Sequence, residues 1–295
     1  MLTLEQLAGM LEQKRDLAAA RVKEFTIGGR EFPFNSQPAI MGVVNLSADS
    51  WYRESVCLTA DAAVQRGKVL AAQGAAIIDV GAESTLAHAA RVDAAGQNSK
   101  LIPVIQGLRA EKIPVSVETY SPAVTRACLE AGANVLNLTG TAASDEIFRM
   151  VAAHRSAVII CYVAGDNVRT AGDFDLSADP IPMLRDFFAR QIETAQRNGV
   201  ERILIDPGLG FYYSNLQDGA VRVRHQMNIF LNTFQLRALG FPVCHALPHA
   251  FDYFQAEVRS AEPFFAVLAA LGKTDLFRTH EVPRIKAVLD TLQVF

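Results

Sequence analysis

One stretch of the chain displays the unit from which the rest is built: Gly74-Ala-Ala-Ile-Ile-Asp-Val-Gly-Ala-Glu-Ser-Thr85. Its glycine follows the helical pattern of Asp61–Gln73, in the position where helices commonly end. The largely apolar run Ala76–Val80 then has the length and β-branched content of a buried strand. Polar residues follow from Glu83 onward. This order of helix end, buried strand and polar loop is typical of a parallel β/α unit.

The same unit recurs along the chain from Pro38 onward, and strand-like runs alternate strictly with helical patterns. Eight such units match the ~250 residues of a typical (β/α)8 barrel, which is the predicted fold. The alternative is a doubly wound open sheet, which lacks support because no Gly-x-Gly-x-x-Gly turn follows the first strand. The predicted strands are Ala39–Val44, Ala76–Val80, Val115–Val117, Val135–Leu138, Ala157–Val163, Ile203–Ile205, Pro242–Cys244 and Asp275–Phe277.

A separate segment precedes the alternation. Residues 1–22 have apolar side chains at helical spacing and predict an amphipathic helix. Residues 23–34 alternate around Gly28-Gly29, which indicates a β-hairpin. We therefore expect a helical extension over residues 1–22 and a barrel domain over residues 23–295.

Composition excludes several classes of protein. Of the 295 residues, 50% are hydrophobic and 20% are charged, which is typical of a folded chain rather than a disordered one. A net charge of −3 without a Lys/Arg cluster gives no indication of nucleic-acid binding. No run approaches the ~20 apolar residues of a membrane helix, and the charged N-terminus does not resemble a signal peptide. Four scattered cysteines favour reduced thiols in a cytoplasmic protein over a disulfide framework or a cysteine zinc site.

Polar side chains follow seven of the predicted strands, and in this fold the ends of all strands meet at one rim. A single polar residue at a strand end is commonly a turn former or a helix cap, but seven converging on one rim favour a binding site. Amide and carboxylate groups there suit a flat heterocycle with several N–H groups, and cations after the last strand suit phosphate. The residues concerned are Glu118, Asn137 and Asp206 for the heterocycle, and Arg278 and His280 for the phosphate.

The histidines do not predict a metal site by spacing. His245-x-x-x-His249 has helical spacing, but it spans a strand end and Pro248. We expect His88, His154 and His225 to be surface or packing residues.

Six segments in the right order resemble the dihydropteroate synthases and the wider family of pterin-binding barrels. The resemblance extends from about Lys23 to the C-terminus, and each segment lies at a predicted strand. The segments are Ile40-Met-Gly-Val-Val-Asn-Leu-Ser-Ala-Asp-Ser-Trp51, residues 74–85 quoted above, Val115-Ser-Val-Glu-Thr119, Ala131-Gly-Ala-Asn-Val-Leu-Asn-Leu138, Ile205-Asp-Pro-Gly-Leu-Gly-Phe211 and Arg278-Thr-His-Glu-Val282.

The resemblance implies roles for residues at the diphosphate end of a substrate. The family joins a hydroxymethyl-dihydropterin diphosphate to the amine of p-aminobenzoate and releases pyrophosphate. Asn45 resembles the residue that holds Mg²⁺ and the diphosphate, and Thr85 resembles a further diphosphate contact. Arg278 and His280 match the anion-binding pair of the family. Together these groups would neutralise the leaving group as the C–O bond breaks.

The resemblance also implies which residues contact the two rings. Asn137 and Asp206 match positions that bind the pterin edge, and Glu118 stands where the family has Asp. Phe211 would flank the arylamine. His249 stands where the family has a Lys that serves both substrates, and it could replace that residue as a donor. Histidine is shorter than lysine and mostly neutral at pH 7.

Other departures from the family occur in the loops. The loop after the second strand continues with Leu86-Ala87-His88 where the family has Arg-Pro-Gly, and Ala48 replaces a Pro in the first loop. The segment Cys161-Tyr-Val-Ala-Gly165 lacks the Met-His of the family. We therefore expect this protein to bind a pterin as the family does, and we expect the part of the site that binds the arylamine to differ from that of the family.

The sequence as a whole predicts a cytoplasmic homodimer that condenses a pterin diphosphate with p-aminobenzoate or a related arylamine, with Mg²⁺ as cofactor. Two alternatives stay open. One is a pterin-binding homologue that is catalytically silent or altered in specificity, which the missing Arg and Lys favour. The other is a methyltetrahydrofolate-type methyltransferase, which Arg278 and His280 disfavour because a methyl donor carries no diphosphate.

Overall fold

The computed structural model describes residues 1–47, 49, 52–84, 89–170, 172–176, 178–211, 213 and 215–294. Within these ranges the chain forms ten β-strands. They are β1 (Phe25–Ile27), β2 (Arg30–Phe32), β3 (Ala39–Asn45), β4 (Ile77–Gly81), β5 (Val115–Thr119), β6 (Val135–Leu138), β7 (Ala157–Cys161), β8 (Arg202–Asp206), β9 (Cys244–Ala246) and β10 (Leu276–Thr279).

Helices follow most of these strands, and side-chain caps begin many of them. Thr59, Asp93 and Ser121 each accept a hydrogen bond from a backbone N–H of the helix that follows. The α-helices of the described chain are α1 (Leu4–Glu12), α2 (Arg15–Ala18), α3 (Ala60–Ala72), α4 (Ala94–Ala110), α5 (Pro122–Glu130), α6 (Ser144–Ala153), α7 (Pro180–Arg197), α8 (Gly219–Arg237), α9 (Phe251–Phe254), α10 (Ala261–Leu271) and α11 (Val282–Leu292).

Eight parallel strands form one sheet in the order β8-β7-β6-β5-β4-β3-β10-β9. The two end strands approach each other at a parallel bridge between Ile205 and Val243, and the Ile205 amide donates to the Pro242 carbonyl at 3.1 Å. The sheet is thereby a nearly closed barrel with helices around it. This arrangement confirms the predicted (β/α)8 fold.

The predicted hairpin is present and closes the amino-terminal end of the barrel. Gly28 and Gly29 have φ of 59° and 86°, which a two-residue turn between β1 and β2 requires. Ile27, Phe32 and Phe34 pack in one cluster with the first residues of the barrel strands. This end of the barrel is thus apolar, and the polar side chains described below lie at the opposite, carboxyl-terminal end.

The N-terminal extension differs from the single helix predicted over residues 1–22. It contains α1, with a capping box between Thr3 and Gln6, and the separate short helix α2. Lys14 between them has φ −137° and ψ 27°, outside the helical range, so the helix breaks there. The division into an extension and a barrel domain stays a prediction.

Most strand ends differ from the prediction by one or two residues, and one strand is shifted as a whole. The strand predicted over residues 242–244 lies at Cys244–Ala246, because the pairing of β9 with β10 begins at Cys244. His245 is consequently inside the strand and fully buried, 2.8 Å from the Thr233 hydroxyl of α8. Among the described residues, no helix combines the length and the apolar character that crossing a membrane requires.

Candidate active site

A cavity of about 340 Å³ lies at the carboxyl-terminal mouth of the barrel. Its walls come from the segments that follow β3, β4, β8, β9 and β10. Several of the predicted site residues line it together, although they are far apart in the chain. They are Asn45, Glu118, Phe211, His249, Arg278 and His280.

Arg278 lies within a network of buried acids at the floor of this cavity. Its Nε donates to Asp79 Oδ2 at 2.7 Å, and its Nη2 lies 3.8 Å from Glu118 Oε2. Asp79 also accepts hydrogen bonds from Ser116 at 2.6 Å and from the Asn137 amide at 3.1 Å. The arginine is therefore held by carboxylates of β4 and β5, with its side chain 17% exposed.

Asn137 and Asp206, the predicted pterin contacts, are both almost fully buried, on the strands β6 and β8 that flank β7. The Asn137 oxygen accepts from the Cys161 thiol at 3.1 Å, and Asp206 Oδ1 accepts from the Gly208 amide at 2.8 Å. An ionised carboxylate can accept about four hydrogen bonds, so Asp206 keeps capacity for further donors.

Burial shifts the protonation of two carboxyl groups at the mouth. It raises the pKa of Glu118 to about 7, although Arg278 acts in the opposite direction. Burial likewise raises the pKa of Asp206 to about 6, against the hydrogen bond from Gly208. Perturbed acids in a cleft are characteristic of functional sites. Glu118 lines the cavity, whereas Asp206 is not among its lining residues, and Arg278 acts on the pKa of both.

The two histidines of the site share one buried acid, Glu262 of α10. His280 Nδ1 lies 3.0 Å from Glu262 Oε1, and His249 Nε2 lies 3.7 Å from the same oxygen. Glu262 has no exposed surface. Burial lowers the pKa of His249 to about 3, so its imidazole is neutral at pH 7 and does not supply the charge of a lysine.

Tyr52, from the segment after β3, covers His280. The two rings stack with centroids 4.4 Å apart and planes inclined by 20°. The Tyr52 hydroxyl donates to Glu281, whose Oε2 also accepts from Arg259 at 3.0 Å. His280 is thus held between a tyrosine ring and the Glu262 carboxylate.

Asn45 is oriented by its neighbour Ser55. The Asn45 amide nitrogen donates to Ser55 Oγ at 2.5 Å, and that hydroxyl donates to the Tyr52 carbonyl at 2.8 Å. With its nitrogen occupied in this way, the amide oxygen is the atom of Asn45 that can serve a cation. A carbonyl-type oxygen is among the ligands that suit Mg²⁺, so the residue is compatible with the predicted role.

Thr85 and Leu86-Ala87-His88 lie outside the described residues. Both flanks of that segment are bound by Arg169, which belongs to a 3-10 helix after β7. Arg169 Nη1 donates to the Ser84 carbonyl and Nη2 to the Ala89 carbonyl, each at 2.6 Å. A guanidinium from another loop thus lies next to the loop that lacks the family's arginine.

Sequence reasoning missed Asp79, Arg169, Glu262 and Tyr52. Asp79 had a detectable signal, since it is an acid with apolar neighbours on both sides in a predicted strand. Glu262 and Arg169 had none, because acids are common in the first turn of a helix and arginines are common in loops. Tyr52 directly follows the family-like segment that ends at Trp51, and it carries no pattern of its own.

The cavity at the carboxyl-terminal mouth of this (β/α)8 barrel is surrounded by buried acids, an arginine and two histidines. Such a site is typical of enzymes that bind a polar, anionic small molecule. Residues 41–246 match the sequence model of a family described as pterin binding enzymes. The chain belongs to this pterin-binding enzyme family.

Several proteins similar to this chain are described as dihydropteroate synthases. The dihydropteroate synthase of Synechocystis is 31% identical over 221 residues, which cover 74% of this chain and 73% of that protein. The structure of Xanthomonas albilineans dihydropteroate synthase with 4-aminobenzoic acid has a TM-score of 0.77 and 29% identity, covering 92% of this chain and 97% of that one. The same enzyme with 7,8-dihydropteroate has a TM-score of 0.73 and 26% identity, and covers 92% of this chain.

Proposed function

We propose that this protein joins a 6-hydroxymethyl-dihydropterin diphosphate to the amine of p-aminobenzoate, or of a related arylamine, and releases pyrophosphate. The observation that carries the proposal is the grouping of Asn137, Asp206 and Arg278 in a barrel whose relatives include dihydropteroate synthases. Asn137 and Arg278 both donate to Asp79 Oδ2, and the charge of Arg278 acts to lower the pKa of Asp206. These three groups provide an amide, a carboxylate and a guanidinium in one small region.

Asp206 and Asn137 would bind the edge of the pterin. The carboxylate would accept from ring N–H groups, and each charge-assisted hydrogen bond contributes roughly 1.5–3 kcal/mol. Glu118, with its pKa raised to about 7 by burial, is a further acceptor or donor beside them. Phe211, which lines the cavity, would flank the ring of the arylamine.

The remaining residues would act on the diphosphate. Arg278, His280 and Thr85 would bind its oxygens, and Asn45 would offer its amide oxygen to Mg²⁺. When bound, Mg²⁺ would reduce the charge of the leaving group. The C–O bond to the pterin methylene breaks and its electron pair leaves with pyrophosphate, while the amine lone pair forms the C–N bond and the amine proton passes to solvent.

A catalytically silent homologue is the second candidate, and one observation favours it. His249 stands where the family has a lysine, and burial keeps its imidazole neutral, with a pKa of about 3. A permanent cation between the two substrates is therefore absent at this position. No described contact favours the methyltransferase over either of these candidates.

Two further expectations belong to the same proposal. All four cysteines are free thiols, which supports a reducing compartment such as the cytoplasm. The homodimer follows from the family resemblance, and sedimentation of the purified chain tests it.

Calorimetry with a pterin diphosphate and Mg²⁺, with and without p-aminobenzoate, tests the function. We expect saturable pterin binding and, with the amine, pyrophosphate release. Asp206→Ala should abolish pterin binding, whereas Asp186→Ala, an exposed change on α7, should leave it unaltered. Equal affinity of Asp206→Ala and wild type would show that the mouth is not the pterin site. Pterin binding without pyrophosphate release would establish the silent homologue instead.

A further inference from the structure

Three metal-ligating side chains meet beside the mouth cavity, and they come from three separate elements. His249 lies just before α9, Glu262 in the first turn of α10, and His280 just after β10. One ligand atom from each lies within 4.8 Å of the other two. Both histidines line the cavity, so the cluster is next to the region where a substrate would bind.

The two distances from Glu262 to the histidines are close to those of a metal site. Zinc bonds of about 2.0–2.2 Å in a tetrahedron place neighbouring ligand atoms about 3.3–3.6 Å apart. Glu262 Oε1 lies 3.0 Å from His280 Nδ1 and 3.7 Å from His249 Nε2, on either side of that range. The ligand atoms of the two histidines lie within 4.8 Å of each other, so a bound ion would draw the imidazoles together.

Glu262 is held in the orientation that a ligand needs. Its Oε2 accepts from the Thr279 hydroxyl and from the backbone amides of His280 at 3.2 Å and Glu281 at 3.3 Å. The His280 amide also lies 3.4 Å from Oε1. Since Oε2 is occupied, Oε1 is directed to the two imidazoles. Such outer contacts fix the position of metal-binding carboxylates.

The surroundings of the three groups also suit a cation. Glu262 is a fully buried carboxyl group that lies beside two imidazoles. The nearby arginines Arg259 and Arg284 both contact the neighbouring acid Glu281. Buried carboxylates are commonly paired with a positive charge or bound to a metal ion.

We propose that His249, Glu262 and His280 bind a divalent transition-metal ion of the zinc type, with its fourth position open to the cavity. Two histidines, one glutamate and one open position form a ligand set found in catalytic zinc sites. Two imidazoles select such an ion over Mg²⁺, so this site is separate from Asn45. The ion would restore the cation lost with the family's lysine. The further assignment of a diphosphate oxygen as fourth ligand rests on the proposed function.

Metal titration of the full chain, stripped with a chelator, tests the site. We expect Zn²⁺ to bind stoichiometrically in calorimetry, and Co²⁺ to give the visible absorption of a four-coordinate ion. His249→Ala and His280→Ala should lose both signals, and Glu262→Gln should weaken binding by at least about 10–100-fold. His154→Ala is the matched control, because that histidine bonds to the Met150 carbonyl of α6 and is absent from the cavity lining. Circular dichroism confirms that each variant is folded.

The outcomes separate the two proposals. Absence of Zn²⁺ and Co²⁺ binding to the wild-type chain, or equal binding by folded His249→Ala, overturns the metal site. Metal binding without any pterin binding overturns the proposed function and leaves the metal site standing. Inorganic pyrophosphate should shift the absorption of the Co²⁺ protein, and an unchanged spectrum overturns the diphosphate assignment alone.

Discussion

Glu118 stands where the family has aspartate, and its longer side chain brings a carboxylate within 3.8 Å of Arg278. That guanidinium is already bound to Asp79, so one cation serves two buried acids. Burial then raises the pKa of Glu118 to about 7. A residue that sequence comparison presents as a conservative change is thus a titratable group near neutral pH.

The raised pKa predicts how Glu118 affects stability. Its folded-state pKa of about 7 exceeds the ordinary 4.5, so the folded state binds the extra proton between these values. The contribution to stability is full below pH 4.5 and is lost as the pH rises through 7, with a magnitude of about 3 kcal/mol. Relative to wild type, Glu118→Gln should therefore gain stability at pH 8 and show no gain at pH 4.

Urea denaturation at both pH values provides the measurement. Glu193→Gln, an exposed change on α7, is the control and should follow wild type at both. A Glu118→Gln protein whose difference from wild type is the same at pH 4 and pH 8 would contradict the prediction.

The loops at the mouth are linked by side chains rather than by the sheet. Glu83 after β4 accepts from the Tyr120 hydroxyl at 2.8 Å and from the Val92 amide at 3.0 Å. Val168, next to Arg169, donates its amide to the Thr139 carbonyl at 2.9 Å. Loops after β4, β5, β6 and β7 are therefore connected into one rim, with Arg169 as the link from β7 back to β4.

Arg169→Ala should destabilise the fold by about 1–3 kcal/mol, because the Ser84 and Ala89 carbonyls both lose a charged donor. Arg169→Lys should recover only part of this, since an ammonium lacks the planar fork that serves two acceptors. The midpoint of urea denaturation measures the effect. Arg149→Ala, exposed on α6, should leave the midpoint unchanged. A wild-type midpoint for Arg169→Ala would show that the two bonds add nothing to stability.

A buried ion pair links the N-terminal extension to the part of the barrel where the two end strands meet. Arg237 at the end of α8 contacts both carboxylate oxygens of Asp275, each at 3.1 Å, and donates to the Ala20 carbonyl at 3.1 Å. Asp275 also accepts from the Val243 amide at 2.8 Å, beside the bridge to β8. The pair thus connects the extension, α8, β9 and the strand that follows it.

Arg237→Ala should cost about 3–5 kcal/mol, because it leaves the Asp275 carboxylate buried without its partner. Arg224→Ala on the same helix is the matched control, since that side chain is exposed. Thermal and urea denaturation of both variants measure the difference. Equal midpoints for the two variants would contradict the role assigned to the pair.

Much of this architecture follows from local pattern alone. The alternation of apolar runs with helical patterns predicted every barrel strand, since a strand buried on both faces needs a continuous apolar run. Polar residues at strand ends predicted the rim, because parallel strands bring their carboxyl ends together. The break at Lys14 and the shift of β9 were not predicted, because helix ends and strand register depend on packing partners elsewhere in the chain.

The sequence by itself determined the barrel, the position of its mouth and the residue types around it, because periodicity is a local property of the chain. Only the tertiary structure decided which of those groups form hydrogen bonds and ion pairs with each other. Glu262 lies 18 residues from His280, and Arg169 lies 85 from Ser84, yet each pair is in hydrogen-bond contact. The periodicity of a sequence carries no information on contacts between residues so far apart in the chain. Whether a histidine is a cation, a neutral donor or a metal ligand depends on burial and on neighbours that only folding brings together.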